Sequence, residues 1–257
     1  MKLLPKNKYH LVRSLFHDNY PNLPLVYSVI EQVRPGEIWV DNENNPKHCL
    51  ILNNTVYCFL AGEIDKKYFL DYLDLIKQKP FVKLAIETSY PLDLTSFGFS
   101  PVLRRQYRYK NMHTVPFFEN NSGYLLKKIN GPEIFNLCTW KNFMEDFYGG
   151  ASNYFKYGMG FVLWDPLHEV LVSECHGIRS QGFVELGTIT HEQYRNKNLS
   201  TILCNHFIDY AIRENLQPIW TCDEANISSW KVAEKLGMDD LTKYVFYTQD
   251  FSKTRAA

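Results

Sequence analysis

Apolar and polar positions follow two periods along this chain, and the period changes at clear breaks. Apolar residues recur at helical spacing from Tyr9 to His17 and from Leu23 to Val33. Asn19-Tyr20-Pro21-Asn22 separates these segments and Pro35-Gly36 closes the second, which predicts helix, turn, helix, stop. Three short β-rich runs follow, Glu37 to Val40, Cys49 to Leu52 and Val56 to Leu60. Asn53-Asn54 is a hairpin signal between the last two, because Asn tolerates positive φ. From Asp65 to Gln78 the period changes: Phe69, Tyr72, Leu73 and Ile76 share one helical face. Pro80 then ends the helix before a strand from Phe81 to Ile86. After Phe97-Gly98-Phe99, the run Val102 to Tyr109 alternates Arg105, Tyr107 and Tyr109 with Gln106 and Arg108, the pattern of a strand with one buried face.

The second half repeats this style. A loop around Gly123 and a helical stretch near Trp140 to Tyr148 precede strands predicted at Gly160 to Trp164, Glu169 to His176 and Gly182 to Thr190. A helix from Leu199 to Glu214 aligns Leu199, Ile202, Leu203, Phe207, Tyr210 and Ala211. A strand at Pro218 to Cys222, a helix from Asn226 to Leu236 with Asn226 as cap and Gly237 behind it, and a strand at Tyr244 to Thr248 complete the chain. Strand, helix, strand, helix, strand predicts a mixed α/β fold with parallel neighbours in a mixed sheet. The order in residues 37–109 echoes that in 160–248 without its second helix. Two related halves are therefore expected, a degenerate one over 1–125 and a complete one over 126–257.

Composition narrows the partners. The 257 residues carry 28 Lys+Arg against 28 Asp+Glu, a net charge of zero, with +3 in residues 1–125 and −3 in 126–257. With no Lys/Arg-rich block to meet a phosphate backbone, nucleic acid is not expected as a partner. The longest apolar runs, such as Val56 to Ala61, fall far short of the ~20 residues that span a bilayer. Pro5, Lys6, Asn7 and Lys8 stand where a signal peptide needs its apolar region. The expectation is a soluble cytoplasmic protein, monomer or homodimer, without membrane attachment. The six cysteines never form a C-x-x-C pair and sit mostly in apolar runs, as buried reduced thiols do. Cys175-His176 and nearby His168 invite a metal reading. Adjacent strand residues point to opposite faces, however, so no metal is expected.

The chemistry concentrates in Phe183-Val-Glu-Leu-Gly-Thr-Ile-Thr-His-Glu-Gln-Tyr-Arg-Asn-Lys-Asn-Leu-Ser200, which runs straight into a helix. An apolar strand, a short polar loop and a helix N-terminus make an anion site, because the first amides of the helix lack partners and its dipole adds positive charge. Arg195 and Lys197 add two cations, so a phosphate-bearing cofactor is the natural ligand. The patterns G-x-G-x-x-G and G-x-x-x-x-G-K-[ST] are both absent, which argues against other nucleotide-binding enzymes.

The segment Arg195-Asn196-Lys197-Asn198-Leu199-Ser200 resembles the acetyl-CoA motif of the GNAT N-acetyltransferase superfamily, Gln/Arg-x-x-Gly-x-Gly/Ala. Asn226-Ile-Ser-Ser229-Trp-Lys-Val-Ala-Glu-Lys-Leu-Gly237-Met238 is similar to that superfamily's second helix. The spacing of Gly158-Met-Gly160-Phe161 and Trp220-Thr-Cys222 looks most like a two-part subgroup that includes the zwittermicin A resistance proteins. This resemblance implies acetyl-CoA as cofactor. It implies a pantetheine arm paired with Thr188, Ile189 and Thr190, phosphates on Arg195 to Ser200, and contacts from Asn226 and Ser229. It also implies transfer of acetyl to a primary amine of a small polar molecule. Asn198 replaces the first pattern glycine and Ser200 the second; Asn is the next most tolerant of positive φ. Ala233 stands where many members carry a tyrosine acid. These departures leave open a non-catalytic module that holds CoA as a sensor.

The amine must lose a proton before attack, and Glu185 is the candidate base, with Glu174 as runner-up. Glu185 otherwise binds substrate or pairs with a cation. His191 is either catalytic or a polar turn residue, and Trp220 and Trp230 are core or pocket wall. Tyr107 and Tyr109 form a buried strand face.

Overall fold

Local sequence accounts for most element boundaries in a computed structural model that describes residues 1–88, 91–112, 116, 118, 120, 123–180 and 182–252. After β1 (Lys2–Leu3), the first predicted helix is a tight 3-10 helix, Lys6–Leu15. The eight-residue α1 (Leu23–Ile30) is buried along its whole length. It stops three residues short of Val33 because Gln32 turns to a positive φ of 58°. Strands β2 (Gly36–Val40), β3 (His48–Asn53) and β4 (Tyr57–Gly62) follow. Asp65 caps α2 (Lys66–Ile76), accepting the Tyr68 N–H at 2.9 Å, and Phe69, Tyr72, Leu73 and Ile76 are its buried face, as the periodicity predicts. Strands β5 (Phe81–Thr88) and β6 (Ser100–Arg108) complete the first half, with Tyr107 and Tyr109 buried.

The second half holds β7 (Leu125–Lys128), α3 (Pro132–Phe135), α4 (Lys141–Tyr148) and α5 (Ala151–Tyr157), then β8 (Met159–Asp165), β9 (Val170–Ser180) and β10 (Phe183–Thr190). It ends with α6 (Leu199–Arg213), β11 (Gln217–Asp223), α7 (Ile227–Lys235) and β12 (Asp240–Asp250). β7, α3 and α5 escape the sequence pattern because each spans only four to seven residues. No helix among the described residues is long and apolar enough to cross a membrane.

The chain forms two compact units, Met1–Arg104 with the chain from Lys243 on, and Arg105–Thr242. The halves 1–125 and 126–257 are therefore not these units: the end of β6 belongs with the second and most of β12 with the first. In the first unit the strand order is β1-β2-β3-β4-β5-β12, with β4 and β5 parallel. In the second it is β7-β8-β9-β10-β11-β6, with β10 and β11 parallel. The two orders correspond strand for strand, each taking its last strand from the other half of the sequence. β12 earns its place in the first unit by antiparallel pairing with β5, from Tyr247↔Leu84 to Asp250↔Phe81.

The core of the second unit packs α6 on the sheet through Leu199, Leu203, Phe207, Ile208 and Ala211, all nearly or fully buried. Gly177 in β9 lies under this helix, where an added Cβ would collide with Phe207 Cζ and come within 2.7 Å of Val184 Cγ2. Gly177→Ala is therefore expected to destabilise the protein by about 1–3 kcal/mol through overpacking. A lower urea midpoint at unchanged slope checks this, and an unaltered midpoint contradicts it.

Candidate active site

The site begins where two strands stop pairing. β10 is bonded to β9 along its whole length, from Phe183↔Ser180 to Thr190↔Ser173. Its parallel register with β11 covers only four positions, Phe183↔Gln217 to Leu186↔Trp220. β10 then continues to Thr190 and β11 to Asp223 without a shared register. On the side facing β11, β10 from Gly187 onward thus offers backbone groups that β11 does not take up.

A cavity of about 750 Å³ opens at this gap. Thr188, Ile189 and Thr190 form its strand wall, and Arg195, Asn196, Asn198, Leu199 and Ser200 its loop and helix end. Asn226 and Ser229 face them from α7. Lys197 is the one predicted cofactor residue outside the lining; its ammonium lies over the Tyr194 ring, 5.1 Å from the centroid. Asn196 and Asn198 have φ of 61° and 64°, so this loop uses the left-handed tolerance of Asn twice. No side chain caps the first turn of α6, because Asn198 instead accepts the Lys235 ammonium at 2.8 Å. The start of a 15-residue helix therefore faces the cavity with its dipole uncompensated by a cap.

Charge in the lining has one sign. Arg195, Lys231 and Lys235 contribute cations, and no carboxylate lies among the described lining residues. Arg195 is anchored at the strand end, where its Nε donates to the Thr190 carbonyl at 3.3 Å. The α7 wall is braced: Asn226 accepts the Ser229 N–H at 3.2 Å, and the Ser229 hydroxyl accepts Trp220 Nε1–H at 3.0 Å. Trp220 is thus pocket wall, whereas Trp230 packs under the Arg105 guanidinium, 4.5 Å from its ring centroid.

The opposite face of the strands carries the candidate bases. Glu185 is 8% exposed and lies outside the cavity lining; its Oε1 accepts the Thr221 hydroxyl at 2.6 Å. By strand alternation it shares a face with Gly187, which sits just past the last paired position. Glu174 is fully buried and accepts the N–H groups of Thr139 and Trp140, both at 2.8 Å. Its carboxylate holds the loop that leads into α4, so it serves as an anchor rather than a base. His176 stands 3.7 Å from Glu174, and its Nδ1 pairs with the Tyr154 hydroxyl at 2.8 Å. With Cys138 they make a buried group whose ligand-type atoms lie within 4.8 Å of one another. Burial pushes the Cys138 thiol and the Tyr154 phenol up, which keeps both protonated. Cys175, next to His176, points to the other face and meets the Cys204 sulfur at 3.8 Å. His191 precedes the short 3-10 turn Glu192–Tyr194, and its ring lies 3.5 Å from the Thr139 hydroxyl.

The profile of the GNAT acetyltransferase family matches residues 13–247. The chain belongs to this family. Membership makes it an N-acetyltransferase by class. The chain is 26% identical to the uncharacterized N-acetyltransferase YdfB of Bacillus subtilis, over 95% of its own length and 97% of that relative's. In fold it is similar to a GCN5-related N-acetyltransferase-like protein of Streptococcus suis, with TM-score 0.69, 21% identity and coverage of 95% and 99%. It is also similar to a tandem GNAT protein from the clavulanic acid biosynthesis pathway, with TM-score 0.61, 13% identity and coverage of 96% and 93%.

Within this GNAT chain, Ala233 is fully buried in the core and offers no proton donor. Tyr194, Thr201, Ser228, Lys231, Val232 and Lys235 also line the cavity and escaped the sequence reading. The signal for four of them was present: Ser228, Lys231, Val232 and Lys235 follow helical spacing and form one face of α7.

Proposed function

We propose that the protein transfers the acetyl group of acetyl-CoA to a primary amine of a small polar molecule. The observation that carries this reading is the gap beyond Leu186 and Trp220, opening into a cavity whose charged lining is wholly cationic. A ligand that fits must be extended and amide-bearing at one end, to pair with a free strand edge, and polyanionic at the other. CoA has that form. The edge at Thr188 to Thr190 takes the pantetheine amides as a neighbouring strand does. The α6 amides with Arg195 hold the pyrophosphate, and Lys231 and Lys235 neutralise phosphate charge from α7. Bound acetyl-CoA supplies an activated acetyl thioester.

The chain's own groups then act in three ways. A backbone N–H near Leu186 to Thr188 faces the carbonyl oxygen on which negative charge develops. Glu185, directly or through a water, removes the proton that an amine carries at neutral pH. With Ala233 at the tyrosine position, the departing thiolate draws its proton from solvent. That missing acid also motivates the second reading, a CoA-binding sensor, which shares the cavity but not the turnover.

CoA at ~100 times its dissociation constant should stabilise the fold by about 2.7 kcal/mol, seen as a raised melting temperature. An unchanged melting temperature at millimolar CoA contradicts the reading. Release of free thiol from acetyl-CoA over a panel of amines separates enzyme from sensor. Glu185→Gln should lower kcat at saturating acetyl-CoA by ~10²-fold or more. Wild-type turnover at every pH in that variant would remove Glu185 from the mechanism.

A further inference from the structure

On the face of β10 opposite α6, an indole stands against the start of the gap. Gly187 is the first residue of β10 beyond the strand pairing, and having no side chain it leaves a slot there. Half-buried Trp140, just before α4, fills it: its Cζ3 and Cη2 lie 3.1 and 3.5 Å from where a Gly187 Cβ would stand. The main chain that carries the indole is fixed from behind. Glu174, fully buried, accepts the backbone N–H groups of Trp140 and Thr139, each at 2.8 Å. The ring also packs beside His176 and Phe143, with centroids at 6.1 and 6.4 Å. The other face offers no escape, because Leu186 and Phe207 are buried there.

We infer that Trp140 is a specificity-determining residue that limits the transferred acyl group to about the size of acetyl. This rests on the reading above, in which the cofactor arm lies along Thr188 to Thr190 and its thioester reaches the vertex of the gap. An acyl chain there has the core around Leu186 on one side and the indole on the other. A longer chain has to push the indole off Gly187, against its packing beside His176 and Phe143 and on a main chain that Glu174 holds at two amides. Close-packed walls do not yield gradually, so affinity falls steeply with acyl chain length.

The test needs no acceptor. Dissociation constants for free CoA, acetyl-CoA and hexanoyl-CoA are measured by calorimetry on the wild type, Trp140→Ala and Trp140→Phe, with circular dichroism confirming that each is folded. The wild type should bind hexanoyl-CoA at least ~10-fold more weakly than acetyl-CoA. In Trp140→Ala the two should bind within ~3-fold, and Trp140→Phe should fall between. If the alanine variant fails to fold, the phenylalanine variant decides by whether its ratio moves from that of the wild type. Free CoA that binds while the wild type takes both acyl-CoAs equally, or while the ratio stays the same in the folded variants, overturns the role of Trp140 alone. Failure of the wild type to bind CoA at all removes the cofactor reading and this inference with it.

Discussion

Beyond Leu186 and Trp220 the parallel strands β10 and β11 no longer share hydrogen bonds, and a strand edge opened inside a sheet has to satisfy its backbone groups elsewhere. The gap cannot simply close, since β10 is held to β9 through all eight of its residues. Everything chemically useful is arranged around that fixed opening. α6 begins after the eight-residue loop that follows β10, and α7 just after β11, and both helices bring their first turns to the cavity. Three cations collect at the same place with no carboxylate among the described lining residues to offset them. A whole-chain charge of zero conceals this local positive site.

The first compact unit supplies an internal contrast. Its parallel pair, β4 and β5, stays in register through six positions, from Tyr57↔Lys83 to Gly62↔Thr88. The buried Tyr20 hydroxyl lies 3.2 Å from the Leu60 carbonyl and 3.1 Å from that of Ala85, spanning the two strands. Burial pushes this phenol up, so it remains a donor to those carbonyls. The same strand order therefore takes two forms, zipped through six positions in one unit and parted after four in the other.

What could be read in advance divides by range of interaction. The loop Arg195 to Ser200 was legible because its features are local: two Asn residues able to adopt positive φ, and a helix starting directly after them. The opposite pointing of Cys175 and His176 followed from strand alternation alone. The exchange of β6 and β12 was not legible, since nothing in a strand's own alternation names its partner. Nor was the seating of Trp140 on Gly187, a contact between residues 47 positions apart that exists only once Glu174 has gripped the α4 loop. Glu174, a runner-up for base on sequence, acquires its structural role from the same tertiary contact.

The central claim is that the open edge of β10 is the seat of an extended, amide-bearing ligand. Backbone hydrogen exchange at Thr188 and Thr190, whose amides face away from β9, followed with and without saturating CoA, measures it most directly. The account predicts slower exchange at these two amides on binding and unchanged exchange across Tyr57 to Gly62, whose strand is already paired. Unaltered exchange at Thr188 and Thr190 while CoA is bound would contradict it.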